Sequence, residues 1–343
     1  MDDNYSNVKN TTNQQSPMNE APSGRSDPMA RRRAPATPSI GLALGGGVAR
    51  GWAHIGVLRR LDELKICPNI VAGTSVGALV GGYWLAGKLG EFEEWTRSLN
   101  KRRMLGSLDL MLNGGGLIGG RRLRSAMVET LGDARIETLP TKFIAVTAEL
   151  ASGHERWLRE GPLIDAVEAA YALPGVFPPR LIDGKWLIDG ALVNPLPVSV
   201  CRAYDAEVVI AVGLHADVFS RASAARRERY ETPPLIDAND LEAVSKGVKF
   251  AEKVILRRIF RQQDTGPGLG SAMVASFNIV MDRITRSRLA GDPPDVQIMP
   301  QAGHIGLFDF DRADELIQLG REAVDYSLPR IETALNRERN VIS

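Results

Sequence analysis

The chain has 343 residues, of which 44% are hydrophobic and 24% charged, an ordinary balance for one large globular domain or two small ones. Lysine plus arginine (42) nearly match aspartate plus glutamate (41), a net charge of +1, so no strong field draws in nucleic acid. Cys67 and Cys201 stand in unrelated contexts with no Cys or His at ligand spacing, which argues against a disulfide framework or a zinc site and for a reducing compartment.

Residues 1–38 hold no apolar run, and Asp2 and Asp3 stand where a leader's positive region belongs. Their Asn, Gln, Ser and Pro content predicts a disordered tail. Its basic triplet, Arg31-Arg32-Arg33, reads as a solvated charge run in preference to a lipid contact. Ser39 to Leu44 is expected as a buried strand running into Gly45-Gly46-Gly47. Ala53, Val57, Leu58, Leu61 and Leu64 repeat with helical spacing. Asn69 to Ala72 reads as a second strand, followed by Gly73 to Gly77 and an apolar helix over 78–89. From Cys67 to Gly87 there is no charge, about the length of a membrane span. Pro68 and five glycines in that stretch favour a short strand plus a buried helix instead. The opening is thus strand–helix–strand–helix, the pattern of a parallel sheet with helices on its faces.

Further strands are predicted over Lys142–Leu150, Trp186–Asp189, Val208–Val212 and Val296–Met299. A helix over Leu163–Ala172 stops before Pro174, and Ala313–Tyr326 closes the domain. Residues 216–292 are polar, Arg-rich and helical in pattern, interrupted by Gly266-Pro267-Gly268. They read as a helical insertion in a domain over 39–328, between the tail 1–38 and a C-terminal tail 329–343. Within the insertion, residues 241–261 set Val244, Val248, Ala251, Ile255 and Ile259 on one face against five lysines and arginines. Such a helix lies in a membrane interface or, the preferred reading, packs its apolar stripe on the protein.

Gly73-Thr74-Ser75-Val76-Gly77 carries the chemistry. A Gly-x-Ser-x-Gly turn between a strand and a helix exposes a nucleophilic serine. Gly73 and Gly77 let the backbones approach, and the free N–H groups of the following helix favour a developing negative charge. The loop Gly45-Gly46-Gly47-Val48-Ala49-Arg50-Gly51 leaves backbone N–H groups free to bind an anion. A nucleotide pyrophosphate fits poorly, because residue 48 is Val, no acidic residue ends the second strand, and a Walker lysine is absent. The oxyanion of a tetrahedral intermediate fits better, since adjacent parallel strands bring this loop beside Ser75. Arg50 would brace the loop, meet a lipid phosphate or pair locally.

Ser75 needs a base. His54 lies inside the first helix and reads as a packed or capping residue. His215 and His304 follow the nucleophile, as in Ser–acid–His enzymes. Asp189, at the end of an apolar strand and followed by Gly190, is preferred to His215. Partial burial would raise its pKa and strengthen it as a base.

The glycine loop, Ala53-His54-Ile55-Gly56-Val57-Leu58, the Ser75 turn and Asp189-Gly190-Ala191 together resemble the patatin-like phospholipase family, in its bacterial branch related to neuropathy target esterase. Ala172-Leu173-Pro174-Gly175-Val176-Phe177-Pro178-Pro179 and the segment from Ile305-Gly306 to Phe310-Asp311-Arg312-Ala313 are similar to that branch, so the resemblance covers about residues 39–325. It implies a three-layer α/β/α sandwich around a mostly parallel sheet. It implies a dyad of Ser75 as nucleophile and Asp189 as general base, with an oxyanion hole at Gly46, Gly47 and Val48 and no metal or cofactor. Gly45, Arg50, Gly51, Gly73, Gly77 and Gly190 complete the motifs. The substrates implied are phospholipids, lysophospholipids or neutral acyl esters. Separately, the expected location is the cytoplasm, with peripheral contact at the inner membrane face. Val48 stands where the family often has Gly and disfavours positive φ, so the hole is expected to be built slightly differently. The competing readings are a catalytically silent, membrane-associated regulatory module on the same fold and, more remotely, a dinucleotide-binding domain.

Overall fold

Short runs of aliphatic and small residues, buried along their whole length, become the central strands of a sheet covered on both faces. In a computed structural model that describes residues 38–99, 121–214 and 269–341, Ile40–Leu44 (β1), Ile70–Thr74 (β2) and Val208–Val212 (β7) are such strands. The others are β3 (Lys142–Glu149), β4 (Glu155–Leu158), β5 (Arg180–Ile182), β6 (Lys185–Asp189) and β8 (Val296–Ile298). Around them lie α1 (Ala53–Glu63), α2 (Val76–Leu85), α3 (Leu89–Ser98), α4 (Arg121–Leu131), α5 (Leu163–Ala170), α6 (Val198–Ala203), α7 (Leu269–Gly291) and α8 (Ala313–Val341).

The hydrogen-bonded order is β5-β6-β3-β2-β1-β7-β8, with β4 also on β3. The run β3-β2-β1-β7-β8 is parallel, while β4, β5 and β6 pair antiparallel. The sheet is therefore mixed, with a parallel centre. Alternate residues serve opposite faces. Leu42, Leu44, Val71, Phe143, Ile210 and Val212 join the core that includes Ile55, Leu58, Val80 and Val324 of α1, α2 and α8. Ala43, Ala72, Ile144, Val146 and Ala211 pack with Val198, Val200 and Cys201 of α6. Helices on both faces make the three layers expected.

Register then sets the position of the site. Val146 pairs with Thr74 of β2 and with Trp157 of β4, so those two strands flank β3 on opposite edges. The next residue, Thr147, pairs with Arg156 of β4 and with Asp189 of β6. β6 thus takes over the edge of β3 that β2 has just left. The C-terminal ends of β2 and β6 meet there, one residue of β3 apart.

The apolar stretch at 67–87 forms β2 and α2, and α2 is buried almost all round, as a helix apolar on every face requires. Its ten residues span about 15 Å, and among the described residues no helix is long and apolar enough to cross a membrane. The helix expected over 78–89 ends instead at Leu85. Gly87 turns the chain at φ 71, and α3 starts at Leu89. The tail expected from residue 329 is also not observed, since α8 continues to Val341 through Pro329. A proline removes one backbone donor, but buried Val324 and Ile331 hold the helix on either side of it. Residues 269–291 of the expected insertion form α7. The N-terminal tail with its basic triplet, the 241–261 helix and His215 lie outside the described residues.

Candidate active site

Ser75 occupies a strained corner between β2 and α2. Its φ of 54° and ψ of −126° are uncommon for a residue with a Cβ and match the sharp strand-to-helix turn that exposes a nucleophile. Gly77 makes the corner feasible, because a Cβ there would lie 2.2 Å from the carbonyl oxygen of Leu44. Thr74 Oγ1 donates to the carbonyl of Asn194 at 2.9 Å, which ties the end of β2 to the turn that follows Asp189.

The Ser75 hydroxyl donates to Asp189 Oδ2 at 2.6 Å. Oδ1 accepts the N–H of Ala191 at 2.8 Å, and the Asp189 N–H donates to the carbonyl of Ala172 at 3.0 Å. Both carboxylate oxygens and the backbone are therefore fixed. Asp189 is 1% exposed and Ser75 7%. Burial raises the Asp189 pKa from 3.8 to about 7, against the weaker opposing pull of its bonds from Ser75 and Ala191. A carboxyl poised near neutrality beside a serine hydroxyl has the geometry and basicity of a general base. Gly190 meanwhile lets the chain turn directly over the carbonyl of Val146.

The glycine loop lies against this pair. A methyl added to Gly46 would sit 3.3 Å from Ser75 Cβ and 3.4 Å from Ala191 Cβ. The loop is held at several points. Gly45 N–H donates to Val212, Gly46 N–H to Pro195 at 2.9 Å, and Ala49 N–H to Leu307. The N–H of Gly46, expected to face the oxyanion, is engaged with Pro195 in this arrangement. Among the described residues the N–H groups of Gly47 and Val48 have no acceptor, which leaves these two available to an anion. Val48 does adopt positive φ, at 52°, and opens a 3-10 turn over Val48–Trp52. Such a conformation costs about 1–3 kcal/mol and persists only where its surroundings over-determine it, as the anchors on either side do here.

Two of those anchors are side chains. His54 Nε2 lies 2.8 Å from the carbonyl of Gly45, and burial lowers its pKa from 6.5 to about 4. It is neutral at pH 7, so Nε2–H donates to the loop. Arg50 is buried, and its Nε donates to the carbonyl of Ile305 at 2.8 Å. It braces the loop from behind, and the lipid-phosphate reading of Arg50 falls with its burial. Gly51 packs against Val76, and Gly73 against the first turn of α2. His304 pairs with Glu315 at 2.7 Å. One residue absent from the sequence reading also reaches the site. Met281 of α7 is buried, with its Cε 3.2 Å from the methyl position on Gly46. Nothing in the local pattern of α7 distinguishes it. Among the described residues, no group of three or more His, Cys, Asp or Glu side chains could hold a metal ion.

A family model described as patatin-like phospholipase matches residues 42–202, a span that includes the Ser75 turn, the glycine loop and Asp189. An "Uncharacterized NTE family protein" of Mycobacterium tuberculosis is 31% identical over 347 residues, covering 88% of this chain and 94% of its own. "Neuropathy target esterase sws" of Drosophila melanogaster is 35% identical over 181 residues, 51% of this chain and 13% of that protein. Among solved structures, VipD from Legionella pneumophila aligns over 90% of this chain and 80% of its own, at a TM-score of 0.35 and 12% identity.

Proposed function

We propose that this chain, which belongs to the NTE branch of the patatin-like phospholipase family, cleaves acyl esters of phospholipids, lysophospholipids or related lipids through a Ser75–Asp189 dyad. The observation that carries the reading is the 2.6 Å bond from Ser75 Oγ to a buried carboxylate whose pKa is about 7. Ser75 Oγ attacks the acyl carbonyl while Asp189 takes its proton. The carbonyl oxygen becomes an oxyanion facing the N–H groups of Gly47 and Val48. One such donor is worth about 100- to 1,000-fold in turnover. When the tetrahedral intermediate collapses, Asp189 returns the proton to the departing alcohol oxygen, leaving an acyl group on Ser75. Water, deprotonated by the same carboxylate, then releases the fatty acid. The strained turn serves this sequence by holding Oγ in place before substrate arrives.

Two further features support a working place at a lipid surface. Leu181 and Trp186 face each other across β5 and β6, and the N–H of Leu150 bonds to the carbonyl of Trp186 at 2.8 Å. All three side chains are at least half exposed. Tryptophan favours the boundary between water and hydrocarbon, and the strand that presents Trp186 ends at Asp189. Cys67 and Cys201 are both free thiols, which fits a reducing compartment. We therefore place the enzyme in the cytoplasm with peripheral contact at the inner membrane face. The test of the activity is a hydrolysis screen on lysophospholipid, diacyl phospholipid and short p-nitrophenyl esters, with Ser75→Ala as control. Hydrolysis that the substitution abolishes is the expected result, and hydrolysis that survives it refutes the reading.

A further inference from the structure

A cavity of about 220 Å³ lies between α7 and the ends of β1, β7 and β8. Gly45, Leu196 and Leu214, all buried, form its inner wall. Leu289 and Met299 line its sides, and Arg286, more than half exposed, marks its solvent end. Asp282 accepts a bond from Arg286 Nε at 2.8 Å, so the cation at the mouth is already offset. Leu196, Leu214 and Leu289 give this space hydrocarbon surface, while Thr285, Gln297 and the buried Asp282 add polar atoms along the side towards Arg286.

Neither Ser75, Asp189, Gly46 nor Met281 lines the cavity, but two of its lining residues are direct neighbours of groups that touch the Ser75 turn. On the strand side, Gly45 in its wall is followed by Gly46, whose methyl position touches Ser75 Cβ at 3.3 Å. On the helix side, Thr285 of the lining bonds through Oγ1 to the carbonyl of Met281 at 2.7 Å, so Met281 stands one turn along the same face of α7. Its Cε closes the space above Gly46. What caps that space is thus the end of an unbranched thioether, the side chain that changes rotamer most readily in a packed interior.

We propose that this cavity takes the acyl chain of the ester, which reaches it past Met281 when the carbonyl carbon is at Ser75. The proposal rests on Ser75 being the acyl-accepting group. At on the order of 30 Å³ for a methylene- or water-sized group, the cavity holds about seven carbons. Medium chains fill it, and longer ones extend towards Arg286 and solvent.

The test is a kcat/KM profile of the full chain on p-nitrophenyl esters from acetate to dodecanoate. One methylene in an apolar pocket shifts selectivity by about tenfold or more. Leu289→Trp, which fills the cavity, is expected to lower the octanoate-to-acetate ratio at least about tenfold. Leu289→Ala, which enlarges it, moves the preferred chain about two carbons longer. Opposite shifts cannot come from loss of stability, which lowers every ester together. If the indole variant does not fold, Leu289→Ala and Leu214→Ala decide by the direction of their shift. Ratios within about twofold of wild type, with hydrolysis still dependent on Ser75, overturn the cavity assignment and leave the esterase reading standing. Absence of hydrolysis by the wild-type chain, or hydrolysis that survives Ser75→Ala, removes the esterase reading and the cavity assignment with it.

Discussion

Ser75 and Asp189 are 114 residues apart in the chain, and their side-chain oxygens are 2.6 Å apart in the fold. The meeting follows from the register of β3. Thr74 pairs with Val146 and Asp189 with Thr147, so one strand edge carries the end of β2 and then the end of β6. Asp189 is delivered by an antiparallel strand that continues where the parallel strand leading to Ser75 stops.

The first consequence is in pH dependence. Asp189 must be ionised to accept the serine proton, and its pKa is about 7. kcat/KM should therefore rise about tenfold per pH unit below that value and level off above it. Rates measured from about pH 5 to pH 9 check this. A profile already flat at pH 5 would contradict the buried-base account.

The same burial sets a stability effect. An acid whose pKa rises from 3.8 to about 7 on folding stabilises the fold fully below 3.8, and this contribution is lost as pH rises through about 7. At about 1.4 kcal/mol per unit, the ionised form costs roughly 4 kcal/mol at high pH. Asp189→Asn removes that charge. Relative to wild type, the variant should gain roughly 3 kcal/mol in stability between about pH 5 and pH 8 while losing turnover. Urea melts at both values test it, and no relative gain between them would be the wrong result.

Val48 supplies a backbone test. Its positive φ costs about 1–3 kcal/mol, and a glycine costs about 0.5–1 kcal/mol in chain entropy. Val48→Gly should stabilise the protein by about 1 kcal/mol and retain ester hydrolysis, as melting curves and initial rates will show. A large destabilisation would mean that the Val48 side chain contributes more than its strain.

The exposed apolar patch is tested on vesicles. Each buried large side chain is worth about 1.5–3 kcal/mol, so Leu181→Ser with Trp186→Ser should reduce the vesicle-bound fraction at least about tenfold in co-sedimentation. Tyr326, 82% exposed on α8, is the control. An equal loss with Tyr326→Ser would assign the effect to general surface hydrophobicity.

The pairing of Ser75 with Asp189 was legible in the sequence because each residue sits in a short motif that local rules interpret. Ser75 stands in a Gly-bounded turn, and Asp189 ends an apolar run before a glycine. The position of the glycine loop beside Ser75 was legible, and its hydrogen bonding was not. Gly46 reads like its neighbours, yet its N–H bonds to Pro195, a partner no local pattern announces. The conformation of Val48 is likewise set by tertiary anchors, among them His54 and Ile305. The strands β4 and β5 are four and three residues long with no buried residue, too short to display a period. Past Pro329, α8 continues because buried contacts on both sides outweigh one lost backbone bond. Met281 gave no signal, since its position is fixed by how α7 docks on the loop.

The central claim is that Ser75 is the nucleophile and Asp189 its base, and a fluorophosphonate probe followed by peptide mass analysis tests it most directly. The account predicts that the wild-type chain is labelled on Ser75 alone, that Ser75→Ala is not labelled, and that Asp189→Asn is labelled far more slowly. Equal labelling of the wild type and Ser75→Ala, or undiminished labelling of Asp189→Asn, would contradict it.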